Sequence, residues 1–237
     1  MLIAPLKVKG MVKLVKTYVH GLDDAIGGGL PRPGLTLIVG YPGAGKTTLS
    51  AQILVNRALR DGERGAYFSA VEPIKLLNSQ LSLFEFGFKD AVEKGLIDIK
   101  EAIAVSGKEV IEVISEQLGD LASQNYRNVV VDSISALMTF TSAEHARALL
   151  SILSRYASEH DIMLIIIGEL PLFFSSRSIL GFEEFVADVV IKLDFVERGY
   201  RLVNRMSIIK NRFTEHSRAM YEVAITKRGF EVIGLMR

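Results

Sequence analysis

The chain alternates short apolar runs with longer stretches whose apolar residues recur at helical spacing. Residues 35–39 form an apolar run, and Leu49, Ile53, Leu54 and Ala58 then fall on one face of a helix. Residues 66–71 predict a second strand, closed by Glu72-Pro73, and 74–86 a helix. A short strand follows at 96–99. Ser106-Gly107-Lys108-Glu109 has the form of a capping box, ahead of a helical face made by Val110, Ile111, Ile114, Leu118 and Leu121. Residues 128–132 are an apolar run ending in an acid. Residues 143–158 predict a helix, and 162–167 are so uniformly apolar that they predict a strand covered on both faces.

The tail changes character. Residues 186–197, 200–210, 220–226 and 229–233 predict successive strands, with Arg198-Gly199 and Arg228-Gly229 at the turns. Helix–strand alternation followed by a strand-rich tail predicts an α/β fold. Its central sheet is mostly parallel, flanked by helices and extended by C-terminal antiparallel strands. Residues 1–20, with Val8, Val12 and Val15 among lysines, predict an N-terminal arm or edge strand. His20 to Ile26 reads as a short helix. The glycines and prolines of 27–34 read as turn chemistry. No linker or repeat interrupts 1–237, which predicts one domain.

Composition narrows this picture only a little. With 49% hydrophobic and 23% charged residues, the chain has the makeup of a folded domain and not of a disordered one. The net charge of +1 gives no general electrostatic pull on nucleic acid. The absence of cysteine excludes disulfides and thiol chemistry. No run reaches membrane-spanning length, and the start lacks the apolar core of a signal peptide, so the expectation is a cytoplasmic protein with no membrane partner.

The candidate chemistry begins between the first strand and its helix. Gly40-Tyr41-Pro42-Gly43-Ala44-Gly45-Lys46-Thr47-Thr48 fits the P-loop pattern in the strand–loop–helix context that gives it meaning. A glycine-rich turn points backbone N–H groups inward, and the helix that follows adds its positive end. Gly43, Ala44, Gly45, Lys46, Thr47 and Thr48 are therefore the expected nucleotide-binding residues. Lys46 would reach the outer phosphates and Thr47 would ligate Mg²⁺. Asp132, last in its strand, is the second signal: an acid there holds the same ion directly or through water. ATP (or ADP) and Mg²⁺ are the expected ligands.

Beyond these residues the chain resembles a family. Gly27-Gly28-Gly29-Leu30-Pro31, the P-loop, Val130-Val131-Asp132-Ser133-Ile134 and Phe182-Glu183-Glu184-Phe185-Val186-Ala187-Asp188 are similar to the KaiC family of RecA-like P-loop ATPases, in particular its single-domain archaeal members. The resemblance spans residues 21–233. It implies a homo-oligomeric ring, commonly a hexamer, with ATP between subunits. It also implies that Lys210 and Arg212 reach the phosphates of a neighbour's nucleotide, and that Thr214 and His216 line it. Strand alternation places Lys210, Arg212 and Thr214 on one face. Arginine suits the charge that develops at a γ-phosphate.

The chain also departs from the family pattern. Two adjacent acids are usual after the second strand, the first orienting the attacking water; here the positions hold Val71 and Glu72. Alternation turns a residue one place along to the opposite face, which opposes a simple transfer of the role to Glu72. Ile167 and Gly168 replace threonines usual before Glu169, and Lys227 replaces an acid. Three functions remain open: a slow Mg²⁺-dependent ATPase with Glu72 as the acid and Lys46, Lys210 and Arg212 as cationic partners; an ATP-dependent assembly switch that does not hydrolyse; and a recombinase-type DNA-binding ATPase. The last would use the loop 170–181, with Phe173, Phe174 and Arg177 to stack on bases. No protein partner follows from the sequence.

Overall fold

The computed structural model describes residues 12–102, 109–138, 142–170 and 186–236. In chain order the elements are β1 (Lys13–Val15), α1 (Leu22–Ala25), β2 (Leu30–Arg32), β3 (Gly34–Gly40), α2 (Lys46–Asp61), β4 (Gly65–Ser69), α3 (Ile74–Leu81), α4 (Phe88–Glu93) and β5 (Ile97–Glu101). They continue with α5 (Glu109–Ser123), β6 (Asn128–Asp132), α6 (Ile134–Met138), α7 (Ala143–His160), β7 (Met163–Glu169), β8 (Val189–Arg198), β9 (Arg201–Asn211), β10 (Met220–Thr226) and β11 (Gly229–Leu235).

The main sheet runs β11-β10-β9-β8-β3-β7-β6-β4-β5. The strands from β8 to β5 are parallel, and β9, β10 and β11 extend them as an antiparallel meander. Alternation along the central strands feeds two cores. Met163, Ile165 and Ile167 join Ile38, Val130 and the buried face of α2, while Leu164 and Ile166 join Leu35, Leu37 and Val39 on the opposite side, against α5 and α7. Both faces of the parallel sheet are thereby covered, which is why β7 carries no polar residue before Glu169.

Several expectations change in detail. Residues 27–34 hold a strand, β2, which pairs antiparallel with β1 in a small separate sheet. The predicted helix 74–86 stops at Leu81, and Phe84 and Phe86 stack instead with ring centroids 5.4 Å apart. β4 ends at Ser69, two residues earlier than expected, because the Ser69 hydroxyl donates to the Glu72 carbonyl (2.6 Å) and accepts from the Glu72 N–H (3.2 Å), closing a bend. The capping box around Ser106, the tail motif at Phe182-Glu183-Glu184-Phe185, and Phe173, Phe174 and Arg177 of the proposed DNA loop lie outside the described residues.

One cross-strand pair ties β8, the neighbour of the P-loop strand, to β9. Asp194, 4% exposed, accepts two hydrogen bonds from the Arg205 guanidinium (2.6 and 2.7 Å) and lies 3.1 Å from the Lys192 ammonium. Burial alone would raise the Asp194 carboxyl, but the hydrogen bonds from Arg205 and Lys192 outweigh it and hold the group below its ordinary value. A depressed folded-state value stabilises the protein above the unfolded pKa of about 3.9, and that contribution is lost as pH falls through the folded value. Arg205→Ala, which leaves the buried carboxylate with Lys192 alone, is expected to cost about 3 kcal/mol in urea denaturation at pH 7. The deficit should shrink below about pH 4, where Asp194 can protonate.

Candidate nucleotide site

Four parallel strands end on the same side of the sheet, β4 and β6 two residues short of the level of β3 and β7. Gly40 of β3 is level with Glu169 of β7, and Ser69 of β4 is level with Asp132 of β6. The carboxyl ends of parallel strands are where open α/β sheets bind ligands. Gly40 lies so close to β8 that a Cβ there would stand 2.1 Å from the Leu193 carbonyl oxygen, so the first P-loop position admits only glycine. The chain then turns through Tyr41-Pro42-Gly43-Ala44, with the Ala44 N–H on the Tyr41 carbonyl at 3.2 Å. Gly45 caps α2, whose sixteen residues begin with Lys46, Thr47 and Thr48.

Lys46 is 8% exposed, and its ammonium donates to the carbonyls of Gly40 (3.1 Å) and Tyr41 (2.9 Å). Burial lowers its pKa, opposed by the negative charges of Glu169 and Asp132. The Thr47 hydroxyl donates to Asp132 Oδ2 at 2.7 Å. A second donor, absent from the sequence-based reading, reaches the same oxygen: the Tyr67 hydroxyl at 2.5 Å. Burial raises the Tyr67 phenol well above its ordinary value, and the Asp132 charge adds to this. A hollow of about 360 Å³ opens in front of this group, lined by Thr47, Ser69, Val71, Glu72, Pro73, Leu76, Asp132 and Glu169.

The donor set fits a phosphate–Mg²⁺ ligand. One hydroxyl and one carboxylate, with no cluster of three or more acids or histidines among the described residues, match an ion that keeps waters and takes its other ligands from phosphates. Lys46, Thr47 and Asp132 are thus brought together. Val71 and Glu72 both line the hollow, since the strand has ended before them, so the expectation that they face opposite sides is corrected. Val71 is 66% exposed, and Glu72 Oε1 accepts from Gln80 Nε2 at 2.5 Å. Glu169 joins the hollow from β7; its signal in the sequence was its place at the end of a third parallel strand.

The structure sets Lys210, Arg212, Thr214 and His216 at the other end of the sheet. Lys210 is paired with Val190, one residue beyond the Val189–Thr36 pair and so level with Leu37, and its ammonium donates to the Ala187 carbonyl at 2.6 Å. Arg212 is held beside Asp188, whose backbone bonds Leu35, with guanidinium to carboxylate at 3.3 Å. At about 3.3 Å per residue, Leu37 and Leu35 lie about 10 and 16 Å below Gly40, and β9 stands two strands to the side. Neither cation reaches the P-loop of its own chain. β9 ends at Asn211, so Arg212 and Thr214 leave the strand and the expected single face does not extend to them. The Thr214 hydroxyl donates to the Ile26 carbonyl at 3.0 Å, and half-buried His216 follows in the irregular connection to β10. Gly27 makes this seat: at φ +82° it has no Cβ, which would stand 2.5 Å from Thr214 Oγ1 and the Glu215 carbonyl.

No helix among the described residues is long and apolar enough to cross a membrane. Comparison with known proteins then places the chain. The family model described as the KaiC ATPase matches residues 15–236. A UPF0273 protein of Aeropyrum pernix is 30% identical over 239 residues, covering 94% of both chains. The circadian clock protein KaiC2 of Synechocystis is 30% identical over 225 residues, which cover 92% of this chain and 39% of that one. The crystal structure of a KaiC-like protein of Pyrococcus horikoshii superposes with a TM-score of 0.79 at 29% identity, over 94% of this chain and 99% of that one. With a parallel sheet, a P-loop and an acid-ended strand arranged as described, the chain belongs to the KaiC ATPase family.

Proposed function

We propose that this chain is a slow Mg²⁺-dependent ATPase whose site is completed by a second copy in a ring. The observation that carries the reading is the meeting of the Lys46 ammonium and the Thr47–Asp132 hydrogen bond at the ends of β3 and β6. In this reading the N–H groups of Gly43, Ala44, Gly45 and Thr48 cradle the phosphates, and Lys46 exchanges its two carbonyl partners for the outer phosphates. Thr47 and Asp132 would hold Mg²⁺, which when bound neutralises charge on the β- and γ-oxygens. Glu72 orients the attacking water from the wall of the hollow. Lys210 and Arg212 act on the nucleotide of a neighbour, since their own P-loop is out of reach, with Thr214 and His216 on the same nucleotide.

A second reading has its own support. Val71 occupies the wall of the hollow where the family resemblance expects an acid, and one Glu72 oxygen is already engaged by Gln80. Both features favour a protein that holds ATP as an assembly switch and cleaves it rarely.

Both readings require the P-loop to bind ATP. Lys46→Ala removes charge-assisted hydrogen bonds of roughly 1.5–3 kcal/mol each. Titration calorimetry with ATP and Mg²⁺ is expected to show at least a tenfold loss of affinity; an unchanged affinity would remove the basis for either reading.

A further inference from the structure

We infer that Tyr67 is a positioning residue for Asp132: its buried hydroxyl and the Thr47 hydroxyl both bind Oδ2, fixing the carboxylate and leaving Oδ1 to serve the ion. The inference rests on the nucleotide-site reading and extends it to a residue that touches neither phosphate nor solvent.

The register makes the contact. Tyr67 is paired with Val130 across β4 and β6, and both side chains lie in the core on the α2 side. Asp132 is two residues beyond Val130 and shares its face. The Tyr67 side chain is completely buried, yet its hydroxyl ends 2.5 Å from Asp132 Oδ2, with Thr47 Oγ1 2.7 Å from the same atom. A phenol among apolar side chains costs stability unless its hydroxyl is bonded, and phenylalanine would fill the same space without that cost. The hydroxyl sits in a polar group with Asp132, Thr47 and Ser50, and its own hydrogen bond is donated to the acid. Two donors on one oxygen hold the carboxylate against rotation. Thr47 donates its hydrogen bond to Asp132 and so turns its lone pairs toward the hollow. Supporting groups of this kind typically change metal affinity by about 10–100-fold when lost.

The test is calorimetry with the non-hydrolysable analogue β,γ-imido-ATP over a series of MgCl₂ concentrations. The proteins are the natural chain, Tyr67→Phe, Asp132→Ala and the double variant. Tyr67→Phe is expected to raise the Mg²⁺ concentration for half-maximal tight binding about tenfold. Nucleotide affinity without Mg²⁺ should not change, and in the Asp132→Ala background the tyrosine substitution should have no further effect. An unaltered Mg²⁺ midpoint overturns the inference. So does a loss of affinity that is equal with and without Mg²⁺, or one that persists without Asp132, since either marks Tyr67 as packing alone. A natural protein that binds no nucleotide at any Mg²⁺ concentration overturns the site reading itself, an outcome distinct from an Mg²⁺-responsive protein indifferent to Tyr67.

Discussion

Arg212→Ala is expected to lower ATP turnover about a thousandfold while leaving the affinity of the P-loop for ATP nearly intact. An arginine supplied across an interface contributes roughly 10³–10⁵ in rate, because it meets charge that grows only as the γ-phosphate leaves. In the proposed site, ground-state binding would rest on Lys46 and the backbone donors, which Arg212 of the same chain cannot approach: it sits beside Asp188 at the level of Leu35, about 16 Å down the sheet from Gly40. Its ion pair with Asp188 is half exposed on the arginine side and contributes little to stability, so the variant should fold normally. Phosphate release and calorimetry on the same sample check the split between rate and affinity. Arg212→Lys should recover little, since an ammonium cannot form the planar fork of a guanidinium.

The second large effect belongs to the bend after β4. Glu72→Gln is expected to reduce the remaining hydrolysis by about 10²–10⁴, the usual loss when a general base is removed. Val71→Glu should raise turnover without much change in affinity, because an acid at that position acts on the attacking water and scarcely on bound phosphates. Both residues line the hollow with Thr47 and Asp132, so neither substitution needs the strand to rearrange. Single-turnover cleavage of the γ-phosphate at saturating ATP and Mg²⁺ measures all three proteins. Brisk natural turnover, indifferent to both substitutions, would mean that another group positions the water; Glu169, which also lines the hollow, would be the next residue to replace.

The features of this site differ in how far the sequence disclosed them. The P-loop was legible because phosphate binding needs glycine, lysine and threonine at fixed spacing between a strand and a helix. β6, running Asn128–Asp132, was legible because an apolar run that stops at an acid marks its own end. The end of β4 was not. Ser69 closes a bend on Glu72 through its hydroxyl, a local bond that competes with the ladder and leaves no mark in the apolar pattern. The strand β2 was hidden for a related reason. Pro31 and Pro33 read as turn chemistry, yet Pro31 is accommodated in a three-residue strand whose one pairing among the described residues is with β1.

Tyr67 shows a different limit. A tyrosine within a strand is an ordinary core residue by pattern, and only the pairing of Tyr67 with Val130 reveals that its hydroxyl arrives at Asp132. Pairing register likewise separates Lys210 and Arg212 from their own P-loop. Alternation alone put Lys210, Arg212 and Thr214 on one face, but the strand ends at Asn211, and what these residues share is an end of the sheet.

The proposed composite site is tested most directly by mixing two variants that are each expected to be inactive. Lys46→Ala chains lack a working P-loop but carry Arg212, and Arg212→Ala chains carry the P-loop but lack the arginine. Combined under ATP and Mg²⁺, with co-assembly verified by labelled subunits, they bring intact Arg212 to intact Lys46 wherever unlike neighbours meet in the correct order. Phosphate release is expected to reappear in the mixture and to peak near equal proportions. Mixed assemblies that form and stay inactive at every ratio would contradict the composite site.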